Sequence, residues 1–434
     1  MMKEWAHKNL KGDLVIWFVV FSLSILSILV VYSATGSLAY QQKGGNTEFY
    51  LFKHTFLVCL SFFAMWLAHK VDYRYYSKIS QYALWLSAPL LIYTWQFGTE
   101  INEASRSISI PLINQAFQPS DLAKLALIVS LAAMLSKKQN NIADFQKSIM
   151  PILIWIGVIC GLIALTDTSS AILLFITCML VMFIGRVPVK FLAMLMMIGI
   201  MAGAVAMTIG QRWPTVKSRV EQFVNGKESF QTKQGNVAIA TGGVIGKGPG
   251  QSDQRNILPQ SFSDFIYAII IEEYGFIGGI GVLLLYLVLL YRGMIAVSES
   301  ERAYGGLLSA GLSFALVLQA MVAMGVVVGL GPVTGLPLPL VSMGGTSQLF
   351  TGLALGIIIS VSRGETSKEM EVKPTGNTMR TMVVNEPKEE IPAAAEVAEE
   401  FELAEVDDLD LGDIGDFDFG SPVGGMNDDS VDAA

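Results

Sequence analysis

Apolar residues in this chain come in long blocks separated by polar seams. Crossing the hydrocarbon layer as a helix takes about 20 predominantly apolar residues. Ten blocks reach that length, at roughly 13–34, 51–69, 79–97, 118–136, 148–166, 169–186, 189–209, 266–291, 305–329 and 342–362. Helices are expected, because backbone polar groups in lipid must be satisfied within their own segment. The two-residue alternation of membrane-barrel strands is absent. The expected fold class is all-α: a polytopic membrane protein with about ten transmembrane helices. The first block exceeds a signal-peptide core and is followed by further spans, so it reads as a retained helix.

Composition agrees: 52% of the residues are hydrophobic and the mean hydropathy is +0.52, which excludes an ordinary soluble domain. Net charge is −8, an average over two unlike parts. Residues 365–434 hold 4 Lys+Arg against 20 Asp+Glu, and the rest of the chain holds 25 against 17. The organisation expected is a short N-terminus (1–12), a membrane body (13–364) and an acidic tail (365–434), whose composition predicts disorder. The tail ends VDDLDLGDIGDFDFG, an alternation of acids with Leu, Ile and Phe that reads either as a solvated tail or as a docking motif. Cys59, Cys160 and Cys178 all fall inside spans and read as small apolar residues. His7, His54 and His69 are scattered, so no metal ligands are assigned.

Short basic loops mark the cytoplasmic side. Lys3, Lys8 and Lys11, then Lys70, Arg74 and Lys78, then Lys137, Lys138 and Lys147, fall in alternate loops, as do Arg186, Lys190, Arg292 and Arg302. Both termini are therefore expected in the cytoplasm. One large outer loop is expected at 210–265, between spans seven and eight. In it, Trp213, Val216, Val220, Phe223 and Val224 recur at helical spacing and predict an amphipathic helix on the membrane surface. The stretch 240–252, ATGGVIGKGPGQS, follows; its glycines favour turns and close backbone approach.

Several residues carry chemistry in unusual places. Asp264 stands where the polar loop enters span eight, as a helix cap or as an acid facing both water and lipid. Glu272 and Glu273 lie inside the same span, on different sides of the helix. Adjacent intramembrane acids are expensive unless paired or wet, so they imply structural ion pairs or a hydrated cavity. Asp121 and Lys124, spaced i, i+3 at the start of span four, can pair as a clamp or serve a phosphate. Arg106 is the one cation in the loop 98–117. Asp167 reads as the cap of span six, with a cavity-lining role as the alternative. In 331–349, GPVTGLPLPLVSMGGTSQL, three prolines forbid a regular helix, and a broken segment at membrane depth must be buried or line a cavity.

These motifs resemble the SEDS family, FtsW/RodA/SpoVE. The resemblance rests on VYSAT at 31–35, QPSDLAKLALI at 118–128, GGVIGKGPGQS, LPQSFSDFIYAIIIEEYGFIGG at 258–279 and PVTGLPLPLVSMGGTS at 332–347. The M-G-G-T form of the last motif and the acidic tail look more like FtsW of the Bacteroidetes type than RodA. Departures are Asn102-Glu103-Ala104-Ser105-Arg106-Ser107 for the family's N-G-A-x-R-W, Asp121 for glutamate, and Lys53-His54 for Arg-Gln.

The resemblance implies a peptidoglycan glycosyltransferase of the inner membrane that polymerises lipid II, with inversion, during septal synthesis. It implies a class B penicillin-binding protein as partner, and the tail offers a contact for other division proteins. No nucleic acid is expected. Asp264 becomes the catalytic acid. Lys124, Asp121, Arg106, Glu272, Gln260, Ser342 and Gly345 become substrate-binding residues, with Asp167, Glu273, Lys247 and Arg255 lining the cavity. Diphosphate is a good leaving group, so one general base suffices where glycosidases use two carboxylates. Lys124, Arg106, Lys247 or Arg255 could stabilise the departing diphosphate, and a divalent cation, Mg2+ or Mn2+, could share the task. The rival readings are a lipid II flippase, an elongation-type polymerase resembling RodA, and a non-catalytic scaffold.

Overall fold

The computed structural model describes residues 12–36, 47–100, 105–110, 115–142, 144–209, 213–226 and 229–372. In chain order the elements are α1 (Leu14–Ala34), α2 (Thr47–Lys70), α3 (Tyr73–Phe97), β1 (Thr99–Glu100), β2 (Ser105–Ile110), β3 (Gln115–Phe117), α4 (Pro119–Lys137), α5 (Met150–Thr166), α6 (Thr168–Ile184), α7 (Val189–Ile209), α8 (Trp213–Val224), α9 (Phe230–Gly242), α10 (Ile266–Ser298), α11 (Ala303–Val327) and α12 (Gly345–Val372). Every predicted span coincides with one of these helices. Among the described residues seven are long and apolar enough alone to cross a membrane, α5 being counted from Phe145. α6 and the Val189–Met201 part of α7 are shorter apolar segments, and α3 is long but begins with Arg74 and Lys78. The tail expected from residue 365 falls largely outside the described residues.

The bundle is apolar on its outside. Phe52, Tyr82 and Trp85 are each more than two-thirds exposed, and Phe18, Phe183 and Phe276 project similarly from other helices. Such a surface suits hydrocarbon, since soluble monomers rarely expose contiguous apolar area beyond a few hundred Å2. Inside, small residues let backbones approach. A Cβ on Gly352 would stand 2.4 Å from the Ser61 carbonyl oxygen, so α12 meets α2 only because that position is glycine.

Two ends of the bundle can be told apart. At one, Asp13 caps α1 by accepting from Val15 N–H (2.8 Å) and takes a second bond from Arg292 Nε (2.5 Å), while its own N–H donates to Ser362 Oγ (3.1 Å). The start of α1 therefore meets the ends of α10 and α12. At the other, Ser261 Oγ donates to the Ala34 carbonyl (3.3 Å) and Arg255 Nη1 to Ser33 Oγ (3.2 Å). That end carries the Asp264 turn.

Two local features depart from a pure helix bundle. Residues 99–117 contribute a three-stranded antiparallel sheet in the order β1-β2-β3, with Ile108 opposite Phe117 and Ile110 opposite Gln115. β3 runs straight into α4. The predicted surface helix forms as α8, and Val220 and Val224 stay exposed along it, as a face laid on lipid requires.

A buried polar chain supports the Asp264 end from below. Ser27 Oγ donates to the Val341 carbonyl (2.8 Å) and lies 2.8 Å from His54 Nε2. Ser27 has one hydrogen and spends it on Val341, so His54 must donate from Nε2, which makes that imidazole the Nε2–H tautomer. His54→Gln keeps a donor and should leave thermal stability within about 1 kcal/mol, whereas His54→Leu should cost about 1–3 kcal/mol by orphaning the serine. Melting temperatures of the two variants in detergent check this.

Candidate functional site

The Asp264 turn is held by the proline-broken segment before α12. Ser342 Oγ donates to the Ser263 carbonyl (2.6 Å) and accepts from Leu338 N–H (2.8 Å), and Met343 N–H donates to the Phe262 carbonyl (2.9 Å). Ser342 is therefore a brace of the turn, 2% exposed, and does not face an open cavity. Gln260 takes a left-handed conformation (φ 56°), and its carbonyl accepts from Ser263 N–H (2.9 Å), closing the turn that presents Asp264. Tyr286 Oη, buried in α10, donates to the Pro339 carbonyl and anchors the segment from the other side. Asp264 comes two residues before α10 begins, and Phe265, not Asp264, occupies the cap position of that helix.

The two intramembrane acids are tied to loops. α10 is broken at Gly275 (φ 71°, ψ −174°), and the glycine-rich stretch after α9 enters the break. Lys247 and Gly248 N–H donate to the Glu272 and Glu273 carbonyls, each at 3.0 Å. Phe276 and Ile277 N–H donate to the Gly243 and Val244 carbonyls, at 2.9 and 3.3 Å. The loop thus supplies the partners that the helix forfeits at its break. A Cβ on Gly275 would stand 2.2 Å from the Val244 carbonyl oxygen, and one on Gly246 would stand 2.3 Å from that of Glu273.

Glu272 is fully buried within this junction. It pairs with Lys247 Nζ (2.6 Å) and accepts from Thr241 Oγ1 (3.3 Å), Asp253 N–H (3.2 Å), Gln254 N–H (3.3 Å) and Ser252 Oγ. Of the readings left open for it, the structure favours the structural ion pair: its oxygens are committed to the loop and do not face a substrate. Lys247 also pairs with Asp253 at 2.8 Å. Hydrogen bonds donated to Asp253 and then Glu272 hold the Lys247 ammonium above its ordinary pKa, and the lysine in turn holds Asp253 below its own. Glu273 accepts from Ser33 Oγ on α1. Arg255, besides Ser33, donates to the Gly250 carbonyl (2.7 Å). Lys247 and Arg255, expected to face a cavity, are therefore spent on fastening the loop to α10 and α1.

Asp121 and Lys124 pair at 2.8 Å in the first turns of α4, with Asp121 only 7% exposed. Lys124 borders a small cavity of about 30 Å3 beside Ser170, Thr177 and Gln319. That is room for a water, not for a diphosphate. Asp121 Oδ2 is buried without a hydrogen-bond partner among the described residues. Gln319 Nε2 donates to the Pro337 carbonyl (2.9 Å), so this cavity abuts the same broken segment that braces Asp264. Asp167 caps α6, accepting from Ser170 N–H (3.2 Å) and Ser170 Oγ (2.9 Å), as the cap reading expected. Gly345 opens α12, where Thr346 Oγ1 accepts from Gln118 N–H (3.1 Å) at the entrance to α4. Arg106 lies in β2; its side chain falls outside the described residues. Replacing Lys124 by methionine should cost about 2–4 kcal/mol by stranding the Asp121 carboxylate, and adding Asp121→Asn should recover most of it. Melting curves of the two singles and the double check the pairing.

One cation escaped sequence analysis. Arg219, on the polar side of α8, donates from Nη1 to the Val333 carbonyl (3.0 Å). A Cβ placed on Gly335 (φ 68°) would stand 3.9 Å from Asp264 Oδ2 and 4.0 Å from Arg219 Nη1. Carboxylate and guanidinium thus flank one glycine. The amphipathic spacing of α8 located the helix but could not show which loop its polar face would meet. Among the described residues no three His, Cys, Asp or Glu side chains come together to hold a metal ion.

The model of the FtsW/RodA/SpoVE family, described as cell cycle protein, matches residues 13–367. The chain belongs to this family. Stage V sporulation protein E of Bacillus subtilis is 32% identical over 365 residues, covering 82% of this chain and 98% of that one. A Geobacter metallireducens protein named "probable peptidoglycan glycosyltransferase FtsW" is 32% identical over 360 residues, covering 81% and 94%. Among solved structures, a chain from a study of polymerization and crosslinking by a peptidoglycan synthase complex superposes with a TM-score of 0.64 at 25% identity, covering 82% and 98%. The rod shape determining protein RodA of Thermus thermophilus does so with 0.60 at 23%, covering 82% and 97%, a likeness of fold. The FtsW/RodA/SpoVE match ends five residues before α12 does, so it takes in α1 to α11 and most of α12 and leaves out nearly all of the acidic tail.

Proposed function

We propose that this chain is a peptidoglycan glycosyltransferase that polymerises lipid II, and that Asp264 is its general base. The observation that carries the mechanism is the Asp264 carboxylate set on a braced turn, with Arg219 beside the same glycine, Gly335. Asp264 takes the proton from the sugar 4-hydroxyl, whose oxygen forms the new bond to the anomeric carbon. The bond from that carbon to the lipid diphosphate breaks, and the diphosphate leaves with the electron pair. Attack opposite the leaving group inverts the anomeric centre. Arg219 stands close to the acid and stabilises charge on the departing group. Lys124 joins it only by leaving Asp121. Among the described residues the carboxylates form no cage for Mg2+ or Mn2+, and no step is routed through a metal.

The orientation is part of the same reading. The end holding Asp13 and Arg292 is flanked by Lys70, Arg74, Lys137, Lys138, Arg186, Lys190 and Arg302 in loops between spans. The charge rule makes that the cytoplasmic face and turns Asp264 outward, where polymerisation takes place. The family and the names of the relatives support the activity. The likeness to a chain of a peptidoglycan synthase complex that coordinates polymerization and crosslinking supports a class B penicillin-binding protein as partner. The glycine-bearing M-G-G-T motif and the acidic tail favour the septal, FtsW-type role over elongation.

The test is glycan-strand synthesis from purified lipid II by the full chain in nanodiscs, with and without its penicillin-binding protein. Strands longer than the dimer are the expected product. Movement of labelled lipid II across vesicles with no polymer formed would replace this reading by the flippase.

A further inference from the structure

Between α8, the start of α9 and residues 329–333 lies a cavity of about 650 Å3. That falls in the roughly 300–1,000 Å3 range of small-molecule sites. Its lining mixes apolar surface with many hydroxyl and amide groups and is almost uncharged. Thr215, Gln222, Gln231, Thr232 and Asn236 contribute hydroxyl and amide groups, and Phe223 contributes one aromatic ring. Arg219 is the single ionisable residue among the described lining residues. It also marks where the cavity ends, because its Nη1 holds the Val333 carbonyl and lies beside Gly335, the glycine that Asp264 also approaches.

The occupant follows from this chemistry. A lipid chain would cover these amides and hydroxyls without giving them hydrogen-bond partners. A stem peptide brings several carboxylates and would meet one guanidinium. An acetamido sugar presents hydroxyls and secondary amides, each able to donate and accept, and amide and hydroxyl side chains answer both roles at once. The aromatic ring offers an apolar face to a sugar ring. We propose that this cavity binds the uncharged saccharide of the glycan chain, N-acetylated hexose units lying next to the end that reacts at Asp264. The proposal rests on the polymerase reading above and adds a holding site to it. A polymerase that grips sugars beyond the reacting pair keeps its product between additions. Weakening the grip should shorten strands more than it slows the first bond.

The test uses the full chain in nanodiscs and reads equilibrium binding by saturation-transfer NMR. The probe is tetra-N-acetylchitotetraose, with cellotetraose, which lacks the acetamido groups, as control. Wild type should bind the first in preference to the second. The Gln231→Ala/Asn236→Ala variant should bind about tenfold more weakly, as expected for two lost hydrogen bonds, with its melting curve showing that it is folded. Gln222→Leu, which keeps volume and removes an amide, gives a second reading should the double variant fail to fold. Strands made by either variant should be shorter than wild type at similar initial rates. Equal binding by wild type and both folded variants would overturn the proposal. So would a polymerising wild type that binds no saccharide, or displacement of nascent product by free stem peptide but not by the sugar. Saccharide binding that persists in a preparation with no polymerase activity would support the cavity assignment while sinking the activity proposed above.

Discussion

Gly275→Val is expected to unfold the junction between the glycine-rich loop and α10, lowering stability by about 3–5 kcal/mol and removing activity with it. Two independent terms add. The residue holds φ 71° and ψ −174°, a region that glycine almost alone adopts, at about 1–3 kcal/mol for other residues. Its Cβ would then press on the Val244 carbonyl oxygen from 2.2 Å, so the loop must retreat, at about the 1–3 kcal/mol of an overpacked core. Retreat breaks the four backbone bonds that cross the break and leaves Glu272 buried without its loop partners. Gly157→Ala is the control: no atom lies within 4 Å of that Cβ, and the change should be neutral or slightly stabilising by helix propensity. Thermal unfolding of both in the same detergent decides. A native melting temperature for Gly275→Val would mean that the junction contributes nothing.

Asp264→Asn should act in the opposite way, sparing the fold and removing the chemistry. The turn is held by bonds to the Phe262 and Ser263 carbonyls from Met343 and Ser342, none of which uses the Asp264 side chain. The amide has nearly the carboxylate's shape, so the melting temperature should stay within a few degrees. It cannot take a proton, however, and loss of a general base costs about 10^2–10^4 in rate. Ser342→Ala should fall between the two classes, with a modest stability loss and a larger fall in rate, because it removes the brace and keeps the acid.

The helices were legible because hydrocarbon demands length and apolarity, and both can be read residue by residue. Even α8 could be read, since its Val and Phe recur on one face. The break at Gly275 could not. A single glycine in a helical run costs only about 1 kcal/mol, so EEYGF reads as continuous helix. What breaks it is a partner some 30 residues upstream in sequence, whose carbonyls and amides replace the helical bonds. The same partner explains the two acids. Sequence analysis inferred polar groups on both sides of α10, and the loop with Lys247 and Ser252 on one side and Ser33 on the other supply them. Their identity required the fold, and it turned Lys247 and Arg255 from candidate substrate cations into fasteners. Arg219 was invisible for the converse reason: a lone arginine on an amphipathic helix looks like ordinary surface until Gly335 brings Asp264 beside it. The strands at 99–117 were missed because six residues or fewer, two of them pairing across only three positions, carry too little period to register.

The measurement that bears most directly on the central claim is glycan-strand synthesis from purified lipid II by wild type and Asp264→Asn, reconstituted side by side with the class B penicillin-binding protein. Wild type should yield strands, and the folded variant should yield at least a hundredfold less at every pH tested. Strands made at the wild-type rate by a variant with a native melting temperature would contradict the assignment of Asp264 as the base.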